Sequence, residues 1–363
     1  MEYQAGRKIE SGVERDKNVH FVSLGCPKNL VDSQVMLGLL KSDQYGVVSE
    51  PERADVIVVN TCSFIESSKV ESIDTILELA EYKDTGKCKT LVVAGCLPQR
   101  YKSQLLKELP EVDILIGTGE YHRIAELVDW AQKGELPERA YVNKPAFIHT
   151  EAHPRLQTGQ FFSAYLKISE GCNRRCSFCI IPHLRGNTRS RTVESLVEEA
   201  TKLALCGVKE LNLVAQDLTE YGMEHRYQQM TLEKLLPALC KIEGIEWVRL
   251  FYAYPDQFSD ELIDIMATEP KVVKYLDMPI QHTNDRILQL MNRKFTRQEI
   301  LDFVARLRAK MPNIVLRTSI IAGFPSETDA EHEQLLEDLR VLQFDHLGAF
   351  SYSKEEGTKA ALL

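Results

Sequence analysis

Residues 164–182 read AYLKISEGCNRRCSFCIIP: an apolar run of strand length, then a loop carrying Cys172, Cys176 and Cys179. Two thiols would suggest a redox pair and four a closed metal cage. Three leave a metal site one ligand short, and an open coordination position is where chemistry can occur. The strand SAYLKIS (163–169) opens a series that continues with VKELNLVAQ (208–216), EWVRLFYA (246–253), VVKYLDMPI (272–280), NIVLRTSIIAG (313–323) and DHLGAFSY (345–352), separated by amphipathic stretches. Between the first two, Thr192 is placed to cap a helix whose Val193, Leu196, Val197, Ala200, Leu203 and Ala204 share one face, with Gly207 as its stop. Such units are too few for a closed eight-stranded barrel. They predict an open (β/α)6 barrel over residues 160–363, with its working face at the strand C-termini, where the cysteine loop falls.

Upstream, VHFVSLGC (19–26), DVIVVNTC (55–62), TLVVAGC (90–96) and VDILIGT (112–118) are strands followed by helical periodicity. Continuous valine and isoleucine indicate strands covered on both faces, so the fold class is α/β, with a flavodoxin-like parallel-sheet domain over residues 19–133. Residues 1–18 read as a flexible tail, and 134–159, polar and proline-containing, as a linker. Cys26, Cys62 and Cys96 each end a predicted strand at the matching point of successive units. Parallel strands bring their C-terminal ends together, so these thiols can converge although they lie far apart in the chain. Cys88 stands at the start of the strand ending in Cys96; that length of strand spans roughly 26 Å, which places it at the opposite edge. Cys88, Cys206 and Cys240 read as small, partly buried residues. Gly117-Thr-Gly119 lacks a third glycine for a nucleotide loop and reads as a turn.

Composition narrows what the thiols can be. A chain of 363 residues, 44% hydrophobic, can bury a large core. It contains no apolar run long enough for a membrane span, and the opening MEYQAGRKIESGVERDK carries no secretion signal. A cytoplasmic location is therefore expected, where nine cysteines favour metal binding over disulfides. The net charge of −9 disfavours direct nucleic-acid binding and is compatible with a basic protein partner. His183, four residues beyond Cys179, leaves a zinc reading open, Cys-x3-Cys-x2-Cys-x3-His closing a structural site in a noncatalytic interaction module.

The loop Cys-x3-Cys-x-aromatic-Cys, with Phe178 as its aromatic, resembles the signature of the radical S-adenosylmethionine superfamily. The likeness extends through SLGCPKNLVDSQ (23–34), VNTCSFIESSK (59–69), GCLPQRY (95–101), RGNTRSR (185–191), VAQDLTEYG (214–222), RLFYAYP (249–255), YLDMPIQH (275–282), RTSIIAGFPSET (317–328) and FSYSKEEGT (350–358). Together these are similar to the methylthiotransferases, and GCPKNLVDS favours the type that attaches a methylthio group to the β-carbon of an aspartate in a small-subunit ribosomal protein, S-twelve. A sister type modifies a tRNA adenosine, which is the alternative reading.

The resemblance implies two 4Fe-4S clusters, one on Cys172, Cys176 and Cys179 and a second on Cys26, Cys62 and Cys96, the triplet also picked out by strand ends. It implies S-adenosylmethionine as both methyl donor and radical source, with Phe178 near the adenine, Gln216 near the methionine end, and the Ile321 to Gly323 segment against the adenosine. It further implies an external electron donor such as flavodoxin or ferredoxin, and a sulfur donor. Members usually continue past YSKEEGT into a small β-rich TRAM domain that helps recognise substrate; the sequence stops at Leu363, and the expectation is a chain lacking that domain, either truncated before it or holding its substrate otherwise.

Overall fold

A computed structural model describes residues 16–225 and 230–363; most of the expected N-terminal tail lies outside the described residues. The chain forms two compact units, one taking the chain through Phe161 together with His183–Gly186, the other Phe162–Pro182 with Asn187–Leu363.

In the first unit, β1 (Asn18–Ser23), β2 (Gly46–Val47), β3 (Val56–Thr61), β4 (Thr90–Gly95), β5 (Ile114–Gly117) and β6 (Ala140–Tyr141) form one sheet in the order β2-β1-β3-β4-β5-β6. Every pairing is parallel. Side-chain parity explains the unbroken apolar runs. Val56, Val58, Val92 and Ala94 pack with Val35, Met36 and Leu40 of the helix Pro27–Ser42 on one face. Ile57, Val59, Leu91 and Val93 pack with Ile76 and Leu79 of the helix Glu66–Ala80 on the other. The chain therefore leaves β1 toward one face and β3 toward the opposite face, so the C-terminal ends of these neighbouring strands flank a topological switch point, where open α/β sheets bind ligands. The stretch read as a linker departs from expectation. Ala140 and Tyr141 extend the sheet, the Leu156 amide donates to the Gln34 carbonyl (2.9 Å), and a side chain on Gly38 would collide with Pro154. Its polarity masked the fact that it lies against the first unit.

The second unit carries β7 (Ser163–Lys167), a short antiparallel pair of β8 (Ser169–Glu170) with β9 (Arg189–Ser190), then β10 (Glu210–Val214), β11 (Trp247–Leu250), β12 (Val272–Asp277), β13 (Val315–Ala322) and β14 (His346–Ser351). The main sheet is six-stranded, parallel and in chain order from β7 to β14, as expected of an open (β/α)6 arrangement. Without a reversal of order, right-handed crossovers put every helix on one face. The parity of β13 shows the result: Leu316, Thr318 and Ile320 are buried on the helix side, while Arg317, Ser319 and Ile321 on the other side remain partly accessible. Thr192 caps the helix Val193–Leu205 as expected, accepting from the Ser195 amide (3.2 Å). Cys88 and Cys240 are buried, but Cys206, one residue past that helix, is exposed, contrary to its reading as partly buried.

Candidate functional site

In the first unit, three thiols occupy the strand-end positions beside the switch point. Cys26 precedes the helix Pro27–Ser42, Cys62 follows β3 directly, and Cys96 starts the helix Cys96–Glu108 immediately after β4. Local backbone chemistry makes room for them. Gly25 has φ +87°, and a Cβ there would lie 2.8 Å from Cys62 Cβ and 3.2 Å from its sulfur. Gly95 has φ +96°, with Asn60 Oδ1 and the Thr61 backbone in the place of a side chain. Cys62 is held by Ser72, whose Oγ accepts from the Cys62 amide (3.1 Å) and donates to its carbonyl (2.9 Å).

The three sulfurs act on one another. Burial pushes the Cys62 thiol up, with Cys26 adding to the rise and Arg185 opposing it. Burial pushes Cys96 up to about 12, Arg185 again pulling against it while Cys62 and Cys26 reinforce it. The opposing cation is nearly enclosed: Arg185 is 1% exposed, donates from Nη1 to Asp32 Oδ2 (2.7 Å) and from Nη2 to Asn29 Oδ1, and brings Nη2 within 3.7 Å of Cys96 Sγ.

In the second unit, Cys172, Cys176 and Cys179 lie on the loop after β8, and the loop is fastened along its length. The Ser177 amide donates to the Met291 carbonyl (2.9 Å) and its Oγ to the Leu290 carbonyl (2.7 Å). Asn292 Nδ2 donates to the Arg175 carbonyl (2.7 Å), and the Asn173 amide to Glu220 (2.8 Å). Arg174 bonds Asp217 and Asp256 and lies over the ring of Tyr254 at 3.7 Å. Arg293 covers the same ring at 4.2 Å and turns Nη1 toward Cys176 Sγ at 3.6 Å. The Cys172 thiol is raised by burial, then by Glu220 and Asp217, with Cys179 adding to the rise. Among the described residues no three His, Cys, Asp or Glu side chains close on a point as the ligands of a single ion would. A four-iron cluster binds each thiolate through a different iron and so holds its ligands farther apart than the ligands of a single ion.

Around the cysteine loop, Phe178 and Ile321 pack against one apolar cluster of Ile287, Met291, Phe324 and Ala360. Gly323 has φ +72°, with nothing within 4 Å of where a side chain would point. Gln216, just beyond β10, donates from Nε2 to Glu170 Oε1 (2.6 Å), while its buried Oε1 and the nearby Ser169 Oγ have no hydrogen-bond partner. Glu170 in turn takes a 2.6 Å bond from Lys167, whose side chain is fully enclosed. Sequence reasoning missed Lys167, Glu170, Arg185 and Arg293. The first two had a signal, since an ionisable pair in an otherwise apolar strand, LKISE, demands a buried partner. The arginines had none, because their acceptors lie far away in sequence.

The comparisons follow the same division. Residues 18–117 match the profile of Uncharacterized protein family UPF0004, and residues 166–339 that of the Radical SAM superfamily. The chain is 52% identical over 348 residues to the ribosomal protein uS12 methylthiotransferase RimO of Pelobacter propionicus, covering 96% of this chain and 77% of that protein. The protein of the same name from Geobacter sulfurreducens is 52% identical over 346 residues, covering 95% and 77%. Among solved structures, the radical S-adenosylmethionine methyltransferase TsrM from Kitasatospora setae, with cobalamin and a [4Fe-4S] cluster bound, superposes with a TM-score of 0.68 at 13% identity over 93% of this chain and 75% of that one. The cobalamin-dependent S-adenosylmethionine radical enzyme OxsB gives 0.62 at 16% identity, over 95% and 54%. At those identities the structures speak for the fold alone, whereas identity near one half along almost the whole chain does more. It replaces the zinc-module reading, and the chain belongs to the RimO family of ribosomal protein uS12 methylthiotransferases.

Proposed function

We propose that this chain is a radical S-adenosylmethionine enzyme that inserts a methylthio group at the β-carbon of an aspartate in ribosomal protein uS12. The carrying observation is the pair of three-thiol sets, each beside strand C-termini of a parallel sheet and each lacking a fourth cysteine. Cys172, Cys176 and Cys179 would hold one 4Fe-4S cluster; Cys26, Cys62 and Cys96 would hold a second, in the N-terminal domain. When bound, a low-potential cluster and S-adenosylmethionine supply one-electron cleavage of a carbon–sulfur bond and removal of hydrogen from an unactivated carbon, which acid–base side chains do not readily achieve.

The residues of the chain bind, orient and exclude water. Phe178 and Ile321, on a common apolar cluster, offer a surface for the adenine and adenosine. The open space at Gly323 admits a ligand close to the backbone. Gln216, aimed by Glu170 and Lys167, keeps its buried Oε1 available to the ammonium at the methionine end. The naming of the relatives for uS12 favours a ribosomal protein over a tRNA adenosine, and the net charge of −9 points the same way. An external one-electron donor of the flavodoxin or ferredoxin class and a separate sulfur source complete the requirements, and a ribosomal substrate implies work in the cytoplasm. Among the described residues no helix is long and apolar enough to cross a membrane.

The test is anaerobic incubation of the iron- and sulfide-reconstituted protein with S-adenosylmethionine and reductant, offering a uS12 loop peptide and a tRNA together. A methylthio mass increase on the peptide aspartate is expected; its appearance on the tRNA alone would reverse the substrate assignment.

A further inference from the structure

The sequence RGNTRSR follows the radical cysteine loop, yet its first two residues fold with the other triplet: His183–Gly186 belong to the first unit. Leu184 is buried, and its carbonyl accepts from Thr118 Oγ1 (2.5 Å), which moors the segment beside β5. Arg185 then enters the strand-end region and divides its donors. One edge is clamped by Asp32, at 2.7 Å; the other meets Asn29 Oδ1 and the sulfur of Cys96, at 3.7 Å. The Asn29 amide cannot turn away, because its Nδ2 is committed to the carbonyls of Leu24 (3.1 Å) and Thr61 (2.8 Å), leaving its oxygen toward the guanidinium.

A buried arginine–carboxylate pair is a poor source of stability, since desolvation consumes most of the attraction. The N–H that Nη2 turns toward Cys96 gains little from a neutral thiol and much from a thiolate, with which it makes a charge-assisted bond.

We infer that Arg185 is a positioning residue for the cluster on Cys26, Cys62 and Cys96: clamped by Asp32 and Asn29, it gives an N–H to the Cys96 sulfur and thereby raises the cluster's reduction potential. The inference rests on the two-cluster reading above. Hydrogen bonds to cluster sulfur favour the reduced form, which carries the greater negative charge, so removing this donor makes reduction harder.

The experiment isolates the second cluster by combining Cys172→Ala, Cys176→Ala and Cys179→Ala in the full chain, reconstituting with iron and sulfide, and titrating the remaining cluster with reductant under electron paramagnetic resonance. Arg185→Met should move the midpoint to more negative potential. Arg185→Lys, which keeps the charge but cannot span Asp32 and sulfur together, should fall between. Should the methionine variant fail to fold or to take up iron, the lysine variant decides alone, and a midpoint equal to that of the Arg185 parent overturns the inference. If the parent with three alanines holds no iron, the two-cluster reading itself fails, a result distinct from an unmoved midpoint in a loaded protein.

Discussion

Gly25 offers the sharpest test of how the first unit shapes its triplet. Alanine there must adopt φ +87° and set its Cβ 2.8 Å from Cys62 Cβ and 3.4 Å from Asn29 Nδ2. Left-handed backbone costs a residue with a side chain about 1–2 kcal/mol. Forcing a methyl group into a filled site costs about 1–3 kcal/mol more, because the obstructing Cβ is fixed to backbone and cannot swing aside. The sum, about 2–5 kcal/mol, is a large part of the roughly 5–15 kcal/mol that holds a domain folded. Relief requires Cys62 to retreat, so the same change should reduce iron uptake by the second triplet. Gly323 is the control: φ is +72°, but the space beside it is open, so Gly323→Ala should lose only the backbone component, about 1–2 kcal/mol. Urea denaturation of the metal-free proteins, followed by circular dichroism, measures the stability difference. Iron assay in the Cys172→Ala, Cys176→Ala, Cys179→Ala background measures the site. A Gly25→Ala protein with the parental urea midpoint and full iron uptake would refute the reasoning.

Other consequences can be measured separately. Cys172→Ala should abolish reductive cleavage of S-adenosylmethionine, whereas Cys62→Ala should leave cleavage detectable and end methylthiolation; chromatography of the nucleoside products and mass spectrometry of the peptide distinguish them. Cys88→Ala, in the core beside β4, should cost about 1 kcal/mol in denaturation and no iron. Acid should weaken the second unit through His282, whose pKa is lowered by burial against the opposing effect of Glu327, and whose Nδ1 already accepts from the Asn284 amide (2.9 Å). The unfolded chain then binds the extra proton first, so stability is full above the ordinary value of 6.5 and falls as pH drops below it. His282→Gln should flatten the urea midpoint against pH across that interval, and an unchanged slope would remove His282 from the account.

The strands, and the strand-end positions of Cys26, Cys62 and Cys96, were legible because each is a local pattern. Runs such as VIVVN can only be strands covered on both sides, and in a parallel sheet the residue after such a run has a known edge. The signals failed where partners are remote. Arg185 and Asp32 are separated by 153 positions, and neither the arginine nor the aspartate has a local reason to be buried. The region 134–159 looked like a linker because polarity reports exposure only on average, and two residues of it suffice to add β6. Cys206 looked half-buried because cysteine is usually an interior residue, whereas here it is the exposed C-cap of the helix Val193–Leu205. For Gln216, nothing local in the sequence shows that Glu170, itself bonded by Lys167, fixes the direction of its amide.

The assignment of His183–Gly186 to the first unit bears on anyone wishing to express the halves separately. A fragment ending at Phe161 would carry Asp32 and Thr118 without the arginine and carbonyl that answer them, and a fragment starting at Phe162 would take those four residues away from their seat. No single scission separates this protein into its natural parts; a chimera or a dissected version must graft that short return of the chain onto the N-terminal piece.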